Sequence, residues 1–330
     1  MKKLTTLSIA LLFTAGSAFA QSNDATVDQS GGSNDATVAQ MGANNEASLT
    51  QINYNSTGHL ADILQNGESN IATVRSQGGV GMNEVDLDQI GTSNEATIVQ
   101  FWGQNTADVL QDGTDNVTNI QHRGSYQSSA VVTQSGAENS ATILDVGQTG
   151  SNPNTGNSAD VDQSGDSNDA TVTQIGSDNE TSLTQRNYGS SGHVADILQD
   201  GSGNIADILS QGGVGTNVID LDQIGTSNEA TIAQLWGQNT ADVLQNGTAN
   251  ILNIQHRGST QSSADVTQLG TGNSALIFDI GQTSTNPNTG NSAEVYQDGA
   301  NNTASIGQFS DSNTATVNMT GNGNSATISQ

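Results

Sequence analysis

The chain has no cysteine, only two prolines, and 3% aromatic residues among its 330 residues. Without cysteine, disulfides cannot hold the fold together. Leu, Ile, Val and Phe together make up about a fifth of the sequence, which is close to the composition of disordered chains. A conventional globular core is therefore not expected, and the chain must bury its surface in another way.

Positive charge is also scarce, and both lysines lie in a predicted signal peptide at residues 1–20. Lys2 and Lys3 precede an apolar run from Leu7 to Phe13, and residues 18–20 read A-F-A, the form of a cleavage site. Removing this segment leaves four arginines against 33 acidic residues, a net charge of −29. A chain so acidic is a poor partner for phosphate backbones, which excludes nucleic-acid binding. No later run is long and apolar enough to be a transmembrane segment.

What the chain does have is one phrase, repeated. Asn23–Ser33 reads NDATVDQSGGS, and the next units, 34–40 and 45–51, read NDATVAQ and NEASLTQ. The pattern N-x-A-x-h-x-Q-x-G, with h aliphatic, places Asn, Ala, the aliphatic residue and Gln two apart, the period of one face of a strand. Each unit is predicted to be one strand of about seven residues followed by a turn.

The repetition has two levels. Following the repeat glutamine gives positions 29, 40, 51, 65, 77, 89, 100, 111, 121, 134 and 148, and then the same series again 134 residues later, from 163 to 282. A third copy begins at Gln297, has Met319 where Gln is expected, and ends at Gln330. We therefore expect a signal peptide (1–20), repeat block 1 (21–154), its duplicate block 2 (155–288) and a partial block 3 (289–330).

A period this short and this persistent predicts an all-β solenoid of stacked strand–turn–strand coils. Stacking at ~4.8 Å would place Asn on Asn and Gln on Gln, so that their amides hydrogen-bond along the stack. The residues predicted to point inward and to form the self-assembly ladders are Asn23, Ala25, Val27, Gln29, Asn34, Ala36, Val38, Gln40, Asn45, Ala47, Leu49, Gln51, Gln89, Asn94, Ala96, Gln100, Gln163, Asn168, Ala170, Gln174, Gln223, Asn228, Ala230, Gln234, Gln297, Asn302, Ala304, Gln308, Asn324, Ala326 and Gln330. The predicted turn glycines are Gly31, Gly42, Gly91, Gly165, Gly225 and Gly299, where a corner needs positive φ.

Two irregularities accompany this pattern. The spacing stretches within NYNSTGH and GSNPNTG, and Pro153 and Pro287 occupy the same predicted loop in each block. Eleven units per block is an odd number, so successive blocks would exchange faces of the solenoid unless one unit is not a regular strand. The NIQHRGS segment, with its shorter spacing, is the suspected irregular unit.

The phrase Q-x-G-x-x-N-x-A-x-x-x-Q resembles the curlin repeat of bacterial curli fibres. It is matched at 29–40, 40–51, 89–100, 163–174, 223–234 and 297–308, and Ser128 fits the serine that opens the family's repeat. The resemblance implies a secreted functional amyloid that polymerises on the cell surface of a Gram-negative-type bacterium and builds biofilm matrix. It also implies a nucleator curlin subunit and an outer-membrane secretion channel as partners. The family's glycine-rich leader is not found here, because repeats begin at Asn23.

The ends of the repeat array give a physical reason to expect polymerisation. The first unit follows the predicted cleavage point at once, the last ends on Gln330, and neither end carries a recognisable cap. A solenoid without caps exposes unpaired backbone groups and would add another molecule end to end. The alternative is a monomeric cell-surface repeat adhesin that binds a partner through its loops.

The remaining residues indicate no enzyme, cofactor or metal site. No G-x-S-x-G elbow and no metal-site spacing occurs, and the GDS at 165–167 is interpreted as a turn. The acidic residues Glu84, Asp86 and Asp88, with their duplicates Asp220 and Asp222, are predicted to form outward like-charge columns that solvate the surface. A sharper hypothesis is that low pH or divalent cations neutralise these columns and speed assembly. Tyr54, Phe101, Trp102 and Trp236 could contact carbohydrate or a partner, but the favoured interpretation is that they lie on the surface or fill space within a coil.

Overall fold

The structure is a computed structural model that describes residues 22–54, 58–78, 81–146, 154–189, 191–213, 215–280 and 288–330. The predicted signal peptide 1–20, Gln148, Gln282, Pro153, Pro287 and part of the NYNSTGH and GSNPNTG segments lie outside the described residues. The chain divides into two compact units, Met1–Asn157 and Ser158–Gln330. They are called unit 1 and unit 2 below, and each is described separately.

The described residues contain strands and turns and no helix. They form 30 strands, four of them only two residues long and the others five to nine residues long. The longer strands thus number 26, one for each repeat unit that the sequence contains. No helix with the length and apolar character of a membrane span occurs in the described parts of the chain.

Unit 1 contains thirteen of these strands. They are β1 (Asp24–Ser30), β2 (Asp35–Ala43), β3 (Glu46–Asn53), β4 (Leu60–Glu68), β5 (Ile71–Gly78), β6 (Glu84–Thr92), β7 (Glu95–Phe101), β8 (Thr106–Thr114), β9 (Val117–Arg123), β10 (Ser125–Tyr126), β11 (Ser129–Ala137), β12 (Ser140–Val146) and β13 (Asn154–Thr155). The long ones order into two parallel arrays, array 1a (β1-β3-β5-β7-β9-β12) and array 1b (β2-β4-β6-β8-β11).

Unit 2 contains the other seventeen. They are β14 (Ser158–Ser164), β15 (Asp169–Ser177), β16 (Glu180–Asn187), β17 (Val194–Ser202), β18 (Ile205–Gly212), β19 (Val218–Thr226), β20 (Glu229–Leu235), β21 (Thr240–Thr248), β22 (Ile251–Arg257), β23 (Ser259–Thr260), β24 (Ser263–Thr271), β25 (Ser274–Ile280), β26 (Asn288–Thr289), β27 (Ser292–Ala300), β28 (Thr303–Gln308), β29 (Thr314–Thr320) and β30 (Ser325–Ser329). Its arrays are array 2a (β14-β16-β18-β20-β22-β25-β28-β30) and array 2b (β15-β17-β19-β21-β24-β27-β29).

Consecutive long strands alternate between the two arrays of a unit, so that two strands and their turns make one coil. Each strand pairs in parallel with the equivalent strand one coil away. Between β8 and β11, Ala107 is opposite Ala130, Val109 opposite Val132, and Gln111 opposite Gln134. Like residues therefore stack on like residues, and the prediction of a β-solenoid of stacked strand–turn–strand coils is confirmed for each unit.

The core of each unit is the space between its two arrays. Alternate residues of the long interior strands are buried, as Val85, Leu87 and Gln89 are along β6. In most strands Ala and then a Val, Ile or Leu take the first two inward positions, so a small side chain alternates with a branched one. Leu87, Ile98 and Ile208 are among the largest fully buried side chains. Burial of a side chain of this size contributes roughly 1.5–3 kcal/mol.

The suspicion that NIQHRGS is an irregular unit is wrong. Its strands, β9 and β22, are regular members of arrays 1a and 2a. Within unit 2, β14 lies in array 2a, whereas its copy β27, 134 residues later, lies in array 2b. Successive blocks therefore do exchange faces. Both arrays accept the same N-x-A-x-h-x-Q phrase on their inner side, so a unit fits in either.

The turns use two residues with positive φ, of which the sequence pattern reveals only one. The predicted turn glycines have φ between 94 and 127°: Gly31, Gly42, Gly91, Gly165, Gly225 and Gly299. A Cβ at Gly42 would lie 1.9 Å from the carbonyl oxygen of Gly67, so only glycine fits in this column. A second residue, just before the buried Asn, adopts the left-handed conformation, for example Ser93 with φ 56° and Ala249 with φ 54°.

Ala249 offers a test of the cost of this second position. Left-handed φ costs a non-glycine residue roughly 1–2 kcal/mol, and part of the gain from glycine is offset by its greater freedom when unfolded. We expect Ala249→Gly to raise the free energy of unfolding by up to about 1 kcal/mol, measured by denaturant unfolding followed by circular dichroism. The matched control is Gly203→Ala, where φ is +64° and the added Cβ meets only Ser227 Oγ at 3.5 Å. This substitution should lower the free energy of unfolding by a similar amount, and an increase would contradict the argument.

Candidate functional site

An unbroken column of glutamines lies inside one array of each unit. In array 1b the Nε2 of Gln40 donates to Gln65 Oε1 at 2.8 Å, Gln65 to Gln89 at 2.8 Å, Gln89 to Gln111 at 2.9 Å, and Gln111 to Gln134 at 3.0 Å. In array 2b the same chain of bonds runs through Gln174, Gln199, Gln223, Gln245, Gln268 and Gln297 at 2.8–2.9 Å. Each side-chain amide thus bonds to the amide of the next coil.

The same amides also donate hydrogen bonds to backbone carbonyls of the opposite array. Gln65 Nε2 contacts the carbonyl oxygens of Glu46 at 2.9 Å and Asn70 at 3.1 Å, both in the turn and strand that lead into array 1a. Burial of an unpaired amide would cost roughly 1–3 kcal/mol. Because the interior glutamines of this column are fully buried and bonded on both sides, they connect coil to coil and array to array.

A second column is formed by the asparagines that open each strand. Asn70 Nδ2 donates to Asn45 Oδ1 at 3.1 Å, and the backbone N–H of Asn70 bonds to the same oxygen at 3.0 Å. The other hydrogen of Asn70 Nδ2 reaches the carbonyl of Gly91 at 3.0 Å. Asn94 and Asn116 repeat this set one and two coils further on. The asparagine therefore closes the turn of the neighbouring coil as well as its own.

The other two arrays carry an interrupted column, and here four of the predicted repeat glutamines are wrong. The register places Ser76 opposite Gln51 and His122 opposite Gln100, while Gln77 and Gln121 point outward. In unit 2, Ser210 and His256 occupy the column in the same way, and Gln211 and Gln255 do not. Taking every second residue after the repeat asparagine (70, 72, 74, 76) leads to the correct column residue in each of these strands. The glutamine that stands directly beside it in the sequence suggests the wrong register instead.

Asp145 follows His122 in the column of array 1a, and Asp279 follows His256 in array 2a. Asp145 Oδ1 accepts a hydrogen bond from Asn157 Nδ2 at 2.9 Å. Neither ring nitrogen of His122 has a hydrogen-bond partner among the described residues, although the ring is fully buried. Burial lowers the pKa of both His122 and His256 from 6.5 to about 4, and the neighbouring aspartate opposes this shift. Both histidines are consequently neutral at pH 7.

These two histidines should make the folded state sensitive to acid. Their pKa is lower when folded than when unfolded, so the unfolded state binds protons first as the pH falls below 6.5, and stability is lost down to about pH 4. The double variant His122→Gln/His256→Gln, which restores the usual column residue, should lose less stability over this range. The difference is on the order of 3 kcal/mol for each histidine, since one pKa unit is worth about 1.4 kcal/mol.

The measurement is denaturant unfolding at pH 7 and pH 4.5. The control is Gln121→Ala/Gln255→Ala, which changes the outward-facing neighbours and should keep the wild-type slope. An equal pH dependence in the histidine variant and the wild type would show that the buried rings do not carry the effect.

Only some of the predicted acidic columns exist. Asp86 has Asp62 and Asp108 on either side of it, whereas Glu84 and Asp88 stand between residues of other types. In array 2b a longer column contains Asp196, Asp220, Asp242, Asp265 and Glu294, and Asp222 lies between two leucines. Partial burial first, and then Asp222, Asp242 and Asp196, raise the pKa of Asp220. Partial burial, Asp242 and Glu294 likewise raise the pKa of Asp265.

A raised folded-state pKa means that this column destabilises the fold at neutral pH. Its contribution is most favourable below the unfolded value, near 3.8, and is lost as the pH rises through the higher folded value. We expect Asp220→Asn to be more stable than wild type at pH 7 by a few tenths to about 1 kcal/mol, and the difference to vanish by pH 3.5. Asp298→Asn, which lies between Leu269 and Thr320, is the control and should show neither effect. A constant difference at both pH values would refute this account.

The predicted inward residues divide into two groups by exposure. Those in the interior coils and Val38 are buried, namely Val38, Asn45, Ala47, Leu49, Gln51, Gln89, Asn94, Ala96, Gln100, Gln163, Asn168, Ala170, Gln174, Gln223, Asn228, Ala230, Gln234, Gln297, Asn302, Ala304 and Gln308. Those in β1, β2 and β30 are half-buried or exposed, namely Asn23, Ala25, Val27, Gln29, Asn34, Ala36, Gln40, Asn324, Ala326 and Gln330. The second group lies in edge strands, which have a described coil on one side only.

The remaining chemistry of the described residues is sparse. They contain no group of three or more His, Asp or Glu side chains placed to hold a metal ion. His59 and His193 are part of the asparagine column, where His59 Nδ1 accepts the backbone N–H of Asn83 at 3.2 Å and His193 Nδ1 that of Asn217 at 3.2 Å. The site that this geometry builds is therefore the set of inner columns and the edge strands where they are exposed.

Comparison with known proteins indicates which family has repeats of this kind. A search of curated proteins found no match to this chain. A family model described as the Curlin associated repeat matches residues 20–52, 83–113, 155–186, 289–318 and 299–330. These segments contain coils whose columns are described above, from both units. Five matches along one chain, on a parallel β-solenoid with amide columns, support a protein of the curlin family.

Proposed function

We propose that the chain is a secreted structural subunit that assembles with itself into extracellular curli-type amyloid fibres. In this role it would contribute to biofilm matrix and to cell adhesion. The observation that carries the proposal is the match between the edge strands β29 and β30 and the edge strands β1 and β2. If a second copy continues the alternation of strands, its β1 pairs with β29 and its β2 pairs with β30.

The strands match residue by residue in this arrangement. β29 (Thr314–Thr320) and β1 (Asp24–Ser30) are both seven residues long and read TATVNMT and DATVDQS. Ala315 would lie opposite Ala25, and Val317 opposite Val27. β30 and β2 read SATIS and DATVA over their first five residues, which places Ala326 opposite Ala36. The junction would therefore repeat the register seen between coils inside each unit.

Burial of apolar surface at the edge strands would drive the assembly of two copies. Ala25 is exposed and Val27 half-buried in β1, whereas their counterparts Ala47 and Leu49, one coil further in, are 2% and 1% exposed. Gln330 and Gln40 likewise lie at edges, where their amides have a described coil on one side only, and they would face each other at the junction, whereas Gln29 would face Met319. A second copy would bury this apolar surface and continue both backbone and amide hydrogen bonds, as in cross-β stacking.

Charge does not oppose the junction. The chain is strongly acidic, and like charges directly opposite each other in a sheet are destabilising. Yet β29 and β30 contain no acidic residue, so Asp24, Asp28 and Asp35 of a second copy would face Thr314, Asn318 and Ser325. The acidic columns of the interior coils would be interrupted at this point.

The partners and the location follow from the same proposal. The resemblance to curlin subunits supports export behind the signal peptide at residues 1–20, passage through an outer-membrane channel, and seeding by a nucleator subunit. The second candidate function is a monomeric surface adhesin. It is favoured by the exposed Tyr54 and Trp102, which line one cleft of unit 1.

The decisive experiment uses a charge at the edge strand. Ala25→Glu replaces an exposed side chain, so the free molecule should keep its stability, but the charge would be buried against Ala315 in a fibre. We expect wild-type protein to form fibres with reflections at ~4.8 and ~10 Å, and the variant to show at least a tenfold longer lag. Negative-stain microscopy and dye fluorescence make the measurement.

The matched control is Thr26→Glu, one residue along the same strand and on its outward face. It adds the same charge and should assemble within about twofold of the wild-type lag, since outward charges on a strand stay solvated. Wild-type protein that remains monomeric would overturn the proposal in favour of the adhesin. Assembly of Ala25→Glu at the wild-type rate would overturn the proposed junction.

A further inference from the structure

Unit 1 carries an open cleft on the outer side of array 1a, where β3, β5 and β7 end. Its lining consists of Tyr54, Arg75, Gln77, Gly78, Phe101 and Trp102, and its volume is about 320 Å³. This lies at the lower end of the size of small-molecule sites, which is roughly 300–1,000 Å³. Tyr54 and Trp102 are 61% and 62% exposed, so both rings present their faces to solvent.

Hydrogen bonds hold the polar side of the cleft in place. Gln77 Nε2 donates to the hydroxyl oxygen of Tyr54 at 2.7 Å, and Arg75 Nη2 donates to Gln77 Oε1 at 2.8 Å. The guanidinium carbon of Arg75 lies 5.1 Å from the centre of the Phe101 ring. This distance permits a cation–π contact, which is worth roughly 0.5–1 kcal/mol at an exposed site. Tyr54, Gln77, Arg75 and Phe101 thus form one connected frame.

The backbone of Trp102 points to a role beyond folding. Its φ is +68°, a region that bulky side chains rarely adopt and that costs on the order of 1–3 kcal/mol. Gly78 forms the floor between Tyr54 and Trp102, and a Cβ there would lie 3.3 Å from the Cα of Trp102. The backbone of this turn is therefore strained, and it exposes the indole of Trp102 beside Gly78, which has no side chain.

The duplicate of this cleft in unit 2 keeps the rings but has no cation at the position of Arg75; its arginine is Arg186, which lies opposite Gln211 and pairs with Asp162 at 3.6 Å. Tyr188 and Trp236 are exposed, Gln211 Nε2 donates to the Tyr188 hydroxyl at 3.1 Å, and the φ of Trp236 is +77°. Leu209 stands at the position of Arg75, and Leu235 at that of Phe101. The chain thus contains two versions of one arrangement: in unit 1 the arginine has no carboxylate partner among the described residues, and in unit 2 it is paired with Asp162.

Arg75 is free to bind an anion. It is one of four arginines in a chain with 33 acidic residues. The one ion pair among the described residues joins Arg186 and Asp162, so Arg75 has no carboxylate within 4.0 Å there. Of its five N–H donors, one is bonded to Gln77. The planar guanidinium matches a carboxylate and can bind it with two parallel hydrogen bonds.

We propose that this cleft binds a uronic acid residue of an acidic polysaccharide. The C–H face of the pyranose ring would pack on the indole of Trp102 and the ring of Tyr54, since an aromatic face is apolar and carries negative charge density. The carboxylate would bind the guanidinium of Arg75, and the ring hydroxyls would reach the amide of Gln77. Charges more than about 8 Å apart are largely screened at physiological salt, so the net negative charge of the protein as a whole opposes binding only weakly.

The chain has only two tryptophans, and each one reports on its own cleft. The mature full-length protein carrying Trp236→Phe is titrated with a tetramer of galacturonic acid and, separately, with a neutral cello-tetraose, and Trp102 fluorescence is recorded. We expect a saturable change with the acidic tetramer and at least tenfold weaker binding of the neutral one. The Trp102→Phe protein, in which Trp236 reports, should show no selectivity for the acid.

Substitutions that exchange residues between the two clefts give the matched controls. Arg75→Leu copies the residue found in unit 2 and should reduce binding of the acidic tetramer at least tenfold. Arg75→Lys keeps the charge but not the two parallel N–H donors, and its affinity should lie between those of wild type and Arg75→Leu. Leu209→Arg/Leu235→Phe should confer acid binding on the cleft of unit 2. Equal responses of the two clefts, no effect of Arg75→Leu, or no binding at all would each overturn the proposal. The result does not depend on fibre formation, because monomeric and assembled protein can both be titrated.

Discussion

The hydrogen-bonding demand of buried side-chain amides is the constraint on which this structure depends. A glutamine or asparagine in a dry interior is costly unless its donors and acceptors have partners. Here the column amides find those partners on the next coil and on the facing turn, as Gln65 does with Gln89 and with the carbonyls of Glu46 and Asn70. The chain needs few large apolar residues because these polar columns are bonded along their length, and coils of fixed height follow from this.

The sequence alone is sufficient to predict the strands, their alternation and the parallel stacking, because the two-residue period and the 11-residue unit leave few alternatives. It is less reliable where two rules compete. In β5 the glutamine at 77 suggests one register and the series Ala72, Val74 another, and burial of the apolar residues decides the register, since a shift by one would expose them. The left-handed residues before each asparagine escape prediction because Ser93, Asp115 and Ala249 share no side-chain property that marks them.

The two duplicated blocks differ in an informative way. Inward positions keep their residue or a close substitute, including the unusual pairs His122–Asp145 and His256–Asp279, since each must fit a neighbour on both sides. Outward positions are free to change, as the replacement of Arg75 and Phe101 by Leu209 and Leu235 shows. The features that set the fold are therefore repeated, whereas those that would set binding properties occur once. The edge strands β1 and β30 belong to both groups, because their inward residues, such as Ala25 and Ala326, are half-buried or exposed.

The direction of the amide bonds has one further consequence. The bonds between glutamines all run toward the carboxyl-terminal coil, with Gln40 donating to Gln65 and so on, whereas the bonds between asparagines run the opposite way, with Asn70 donating to Asn45. A copy inverted about a two-fold axis would set donor against donor in one column and acceptor against acceptor in the other. Only translation along the stack, with a slight rotation, keeps both columns bonded. Contacts between copies would then be heterologous, which generates an open filament of fixed polarity rather than a closed dimer.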